Sequence, residues 1–115
     1  MRKIAVFAFN GEEMCFTHAL MNTLDMKKKG YDVKLIIEGS ATKLIKEAEG
    51  ENRPFTNLYT KAKDAGLIDC VCRACASKME SLESAKNQDL QLCDEMFGHP
   101  SMSRYMDSGY EVIVF

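Results

Sequence analysis

The chain has 115 residues, 46% of them hydrophobic and 28% charged, with a net charge of −2 and an isoelectric point near 5.7. A chain of this length forms one domain, read here as 1–115, and buries roughly two-thirds of its unfolded surface without needing staples. The mild acidity, with no basic stripe between aromatics, argues against nucleic acid or an anionic membrane surface as a partner.

No run of about 18 apolar residues is present to cross a bilayer. The opening Met1-Arg2-Lys3 followed by Ile4 to Phe9 is a shorter apolar run than the roughly 7–15 residues of a secretory leader, and it ends in Asn10-Gly11-Glu12-Glu13. The expected location is therefore the cytoplasm, where thiols stay reduced.

Ile4 to Phe9 is continuously apolar, the pattern of a strand covered on both faces. A helix is predicted from about Glu12 to Lys29, with Phe16, Ala19, Leu20 and Leu24 on one face. Glu12 and Glu13 suit its positive first turn, Lys27-Lys28-Lys29 its negative last turn, and Gly30 ends it. Tyr31 to Glu38 reads as the second strand, carrying Val33, Leu35, Ile36 and Ile37. Gly39-Ser40 opens a helix with Ala41, Leu44, Ile45 and Ala48, for which Ser40 is the expected N-cap and Gly50 the stop. Pro54 begins another, with Phe55, Leu58, Tyr59, Ala62 and Ala65 aligned and Gly66 at its end. Leu67 to Cys72 is the third strand and Ala76 to about Lys86 a weaker helix with Met79 and Leu82 inward. Leu90-Gln91-Leu92 suggests a short fourth strand. Gly98-His99-Pro100 turns the chain into a helix of about Ser101 to Asp107, and Glu111 to Phe115 is the last strand.

Strands that alternate with helices and are apolar on both faces predict an α/β fold: three layers, α/β/α, around a five-stranded and mainly parallel sheet of flavodoxin-like architecture. Chemistry in such sheets collects beyond the carboxyl ends of the strands. The loops at that edge are residues 10–15, 39–40, 72–75 and 93–99, which hold or adjoin four of the five cysteines. Cys70 lies inside the third strand, two residues from Cys72 and hence on the same face.

Three cysteines fall in Cys70-Val71-Cys72-Arg73-Ala74-Cys75. In a reducing compartment, thiol chemistry or metal binding explains such a cluster better than a disulfide framework. Cys72 and Cys75 form a C-x-x-C across a strand end and a helix start, where free N–H groups, with Arg73 and Lys78, are expected to lower a thiol pKa and create a nucleophile. These two are the candidate catalytic residues. The contrary reading is that both are small buried hydrophobes. The fuller C-x-C-x-x-C also suits a soft metal with Cys93, His99 or Cys15 as fourth ligand, but the second C-x-x-C of structural zinc sites is absent, so no metal or other cofactor is assigned.

Cys15 is either a further thiol of the site or a buried helical cysteine. His18 and His99 have no carboxylate partner by spacing, which favours structural or surface roles. Asn10-Gly11-Glu12-Glu13 occupies the phosphate-cradling position of nucleotide-binding folds. It lacks both the G-x-G-x-x-G and the P-loop lysine, and its glutamates would repel phosphate. Met96, Phe97, Met102, Tyr105 and Met106 enrich the last third in Met and aromatics, as core or as a subunit interface.

The chain resembles the DsrE/DsrF-like family of small sulfur-relay proteins along its whole length. The resemblance is carried by Lys3-Ile4-Ala5-Val6-Phe7, the helix from about Met14 to Lys29, Val33-Lys34-Leu35-Ile36-Ile37, the post-strand Cys72-Arg73-Ala74-Cys75 and the closing Tyr110-Glu111-Val112-Ile113-Val114-Phe115. It implies a three-layer α/β fold, homo-oligomers such as trimers or hexamers, and a cysteine that carries sulfur as a persulfide. That role would fall on Cys72, with Cys75 as its partner and with donor and acceptor proteins on either side. The expected function is a sulfur carrier or sulfurtransferase-like subunit. The alternatives are a small metal- or ligand-binding oligomer that uses the same cysteines without turnover, and a structural oligomer with incidental thiols.

Overall fold

The computed structural model describes residues 1–50 and 52–115. Its elements run β1 (Lys3–Ala8), α1 (Glu13–Lys28), β2 (Asp32–Ile37), a 3-10 turn (Gly39–Thr42), α2 (Lys43–Gly50), α3 (Thr56–Asp64), β3 (Ile68–Cys72), α4 (Arg73–Lys78), α5 (Leu82–Asn87), β4 (Leu92–Cys93), α6 (Met102–Asp107) and β5 (Glu111–Val114). The five strands form one sheet in the order β4-β3-β2-β1-β5, every pair parallel. Val6 lies beside Leu35 and Ile113, and Ile37 beside Val71, so the sheet interior is built from the apolar runs seen in the sequence.

The expected three layers are present, but unevenly. Phe16 and Leu20 of α1, Leu44 and Ile45 of α2, Tyr59 and Ala62 of α3, Ala76 of α4 and Ala85 of α5 pack on one face with Val6, Leu35 and Val71. On the other face Ala5, Phe7, Ile36, Cys70 and Cys93 meet Tyr105 and Met102 of α6. Strand order explains the imbalance. The crossovers from β1 to β2, β3 and β4 all step the same way, so right-handed connections keep their helices on one face. The last crossover runs back to β1's far side, and a right-handed connection in that direction lies on the opposite face.

Some local expectations change. Ser40 is not a helix N-cap: residues 39–42 form a 3-10 turn, and Ser40 Oγ instead accepts the Gly11 N–H at 2.8 Å and donates to the Phe9 carbonyl at 3.3 Å. The single helix expected over 76–86 is two, separated where Glu80 takes φ +59°. α4 already starts at Arg73, because Cys72 caps it directly by accepting the Cys75 N–H. Among the described residues, no helix is long and apolar enough to cross a membrane.

Gly11 joins two loops at the carboxyl edge of the sheet. A Cβ there would lie 2.6 Å from the Ser40 carbonyl oxygen, and backbone cannot swing aside as a side-chain tip can. Gly11→Ala is therefore expected to lower stability by about 1–3 kcal/mol through overpacking, read as a reduced urea midpoint with an unchanged slope.

Candidate functional site

β3 and β4 lie side by side at one edge of the sheet, with Cys72 opposite Cys93 in register. The chain leaving β3 enters α4 on the heavily covered face, whereas the chain leaving β4 leads to α6 on the other. The two exits diverge at Cys72, which makes this the switch point where open α/β sheets form their crevice.

Residues 94–101 curl back over that crevice. Met96 and His99 exchange two backbone hydrogen bonds of 2.8 Å across Phe97 and Gly98, whose φ values are +51° and +88°. Two left-handed residues in a two-residue loop make a tight hairpin, and glycine at the second meets that requirement without strain. Phe97 meets it with a bulky side chain, and that side chain is 95% exposed at the tip. The hairpin is seated on the start of α4: Ala74 N–H donates to the Gly98 carbonyl at 3.0 Å, and a Cβ on Gly98 would lie 3.1 Å from the Ala74 Cβ.

This seating carries His99 to Cys72. The His99 Nδ1 is 3.0 Å from Cys72 Sγ, 3.6 Å from Cys75 Sγ and 3.6 Å from Glu38 Oε2. Cys72 Sγ also accepts the Cys75 N–H at 3.4 Å, and its thiol can donate to the Gly98 carbonyl at 3.7 Å. Cys72 and Glu38 are buried, while Cys75 and His99 are half-buried and form the outer side of the cluster. Phe9, Glu38, Met96, Pro100 and Met102 line an adjoining, largely apolar hollow of about 270 Å³.

The electrostatics differ from the sequence expectation of an activated Cys72. Burial pushes its thiol up to about 12; the Cys75 N–H acts in the other direction, and Cys75 and Glu38 raise it further. Burial likewise pushes the Glu38 carboxyl up to about 7. Arg73 does not supply the expected positive charge, because its Nε lies 3.3 Å from Asp94 Oδ2 on the exposed side. The group in contact with Cys72 Sγ that can exchange a proton with it is the His99 imidazole.

The structure brings Cys72 and Cys75 together as the sequence suggested, and separates the other cysteines from them. Cys70 and Cys93 form a disulfide, with Cα atoms 5.8 Å apart, where fully reduced thiols were expected; neighbouring parallel strands bring them within bonding reach. Cys93 is thereby removed as a metal ligand. Cys15 stays on α1, its thiol donating to Glu12 Oε2 at 3.3 Å, a carboxylate that raises the thiol's pKa.

His99, which has no carboxylate partner by spacing, was read as structural or surface and otherwise only as one of three possible fourth metal ligands; it is instead the group around which the site is gathered. Glu38 was not singled out at all. Its signal was an acidic residue closing an apolar strand at the carboxyl edge, directly before Gly39.

Comparison with known proteins agrees with the fold. The DsrE/DsrF-like family matches residues 3–115. An uncharacterized protein of Methanocaldococcus jannaschii is 38% identical over 96 residues, 84% of this chain and 76% of that protein. An uncharacterized protein of Archaeoglobus fulgidus is 48% identical over 50 residues, 43% of this chain and 82% of that protein.

Thiol counting tests this arrangement. Denatured without reductant, the protein should titrate with three thiols from Cys15, Cys72 and Cys75, and reduction should release Cys70 and Cys93. In the native protein at pH 7, peptide mapping after iodoacetamide should find Cys75 modified before the buried Cys72. Equal rates at the two would contradict the burial of Cys72.

Proposed function

Because the chain belongs to the DsrE/DsrF-like family, we propose that it is a sulfur carrier that holds sulfur as a persulfide on Cys72, with Cys75 as the second thiol of the relay. Family membership points to a sulfur-relay role in general. The observation that carries the reading to these residues is the contact of Cys72 Sγ with both the His99 ring, at 3.0 Å, and the Cys75 N–H, at 3.4 Å. A sulfur atom with a proton acceptor on one side and a hydrogen-bond donor on the other can pass its proton to the ring as it attacks, with the charge that develops on it met by the N–H.

The half-buried Cys75 is the port and the buried Cys72 the store. A donor persulfide gives its outer sulfur to the Cys75 thiolate: the donor S–S bond breaks as the new S–S bond forms, and the donor leaves as a thiol. Cys72, deprotonated by His99, attacks that outer sulfur in turn, which regenerates the Cys75 thiol. Neither exchange involves net oxidation. Discharge to an acceptor nucleophile repeats the exchange outward. If no acceptor arrives, Cys75 attacks the inner sulfur of the Cys72 persulfide, which forms a Cys72–Cys75 disulfide and expels hydrosulfide.

Donor and acceptor are proteins or small thiols that approach the Cys75 and His99 side. The chain acts as a homo-oligomer, trimer or hexamer, in the cytoplasm. Support for self-association comes from Phe97, Met96 and Met106, which stay exposed.

Treatment with inorganic polysulfide followed by intact-mass measurement tests the carrier reading. The unmodified protein should gain one sulfur. Cys75→Ser should load more slowly and keep the sulfur longer, and Cys72→Ser should lose any added sulfur to a mild thiol wash. A Cys72→Ser protein that holds sulfur as long as the unmodified one would assign the store elsewhere and refute this reading.

A further inference from the structure

We propose that Glu38, Cys72, Cys75 and His99 form a binding site for one zinc-class divalent cation. The four come from four separate segments: the residue after β2, the end of β3, the first turn of α4 and the hairpin after β4. One ligand atom from each lies within 4.8 Å of all the others.

Two of the separations about His99 already match a tetrahedral metal site. Tetrahedral zinc with Zn–N near 2.0–2.1 Å, Zn–O near 2.0–2.2 Å and Zn–S near 2.3 Å separates neighbouring ligand atoms by about 3.4–3.8 Å. The Cys75–His99 and His99–Glu38 separations are both 3.6 Å. The Cys72–His99 separation of 3.0 Å needs to open by about half an ångström to reach the same range.

The hydrogen-bond count points the same way. Two thiols and a carboxyl converge on a single nitrogen, His99 Nδ1, which has either one proton or one lone pair to offer. One of the three can be served well, whereas a cation in their midst serves all four groups at once. Among the described residues, no lysine or arginine pairs with Glu38.

The ligand types select the ion. Two sulfurs, an imidazole and a single carboxylate are borderline-soft and too few in oxygen for calcium or magnesium. The Cys75 N–H on Cys72 Sγ is the kind of outer hydrogen bond that steadies a coordinated thiolate. Cys75 and His99 are partly open to solvent, so the ion has a way in. Binding displaces one proton from each thiol and changes no oxidation state.

The same thiols serve the sulfur reading, but this inference does not depend on it. With both sulfurs ligated neither is free to attack a persulfide, so metal and sulfur loading exclude one another.

Cobalt(II) titration of the reduced, metal-free full chain is the test. Sulfur-to-cobalt charge transfer and intense tetrahedral ligand-field bands should grow to one ion per chain and collapse when zinc is added. Glu38→Gln and His99→Asn, with circular dichroism to verify folding, should each weaken affinity about tenfold or more. Cys15→Ser should leave it unchanged. Zinc bound to the unmodified protein should also shield Cys75 from iodoacetamide, a readout that needs no variant. Absence of cobalt bands and of zinc protection overturns the proposal, as does binding that survives both Glu38→Gln and His99→Asn. Polysulfide loading of metal-free protein is scored separately, so either reading can fail alone.

Discussion

The site depends on how one short hairpin is seated. The Gly98 carbonyl accepts the Ala74 N–H, and the ring of the next residue reaches the sulfur that ends β3. Two left-handed residues make the turn tight enough for this, and the glycine leaves just enough room against Ala74. Without the hairpin, Cys72 would be one more buried cysteine in an apolar setting that favours the neutral thiol. With it, the same burial shields a sulfur that has a proton acceptor beside it.

The topology makes the seat available. One reversed crossover sends α6 to the face opposite the other helices, and the segment leading to it must pass over the end of β3. It also leaves the second face thinly covered. Tyr105 fills that face, donating to Asp69, while Lys34 pairs with Asp69 and Arg104 lies over the Tyr105 ring. Met106 of α6 remains exposed. The Cys70–Cys93 disulfide joins β3 to the two-residue edge strand β4.

Much of the fold was legible because it rests on local pattern. The run at Ile4–Phe9 is continuously apolar, and that at Val33–Ile37 is broken only by Lys34; parallel strands buried on both faces need such runs. Helix ends at Gly30 and Gly66 were legible for the same local reason, both being left-handed in the structure. The break at Glu80 was not, because a non-glycine residue adopts the left-handed turn there and nothing in the sequence marks it. Of the site, Cys72 and Cys75 were found because both cluster in one loop. Glu38 and His99 are 34 and 27 residues from Cys72 (72 − 38 and 99 − 72), and only the strand order brings them to it. The disulfide was missed because an expected reducing compartment argued for free thiols, and only the pairing of β3 with β4 puts Cys93 within reach of Cys70.

Sulfur held on Cys72, under the His99 ring, can be seen directly. The most direct measurement is a high-resolution crystal structure of the metal-free protein after brief exposure to polysulfide. The account predicts one additional sulfur atom bonded to Cys72 Sγ, in contact with the His99 ring, with Cys75 a free thiol. Additional sulfur bonded to Cys15, or to Cys75 with Cys72 unchanged, would contradict it.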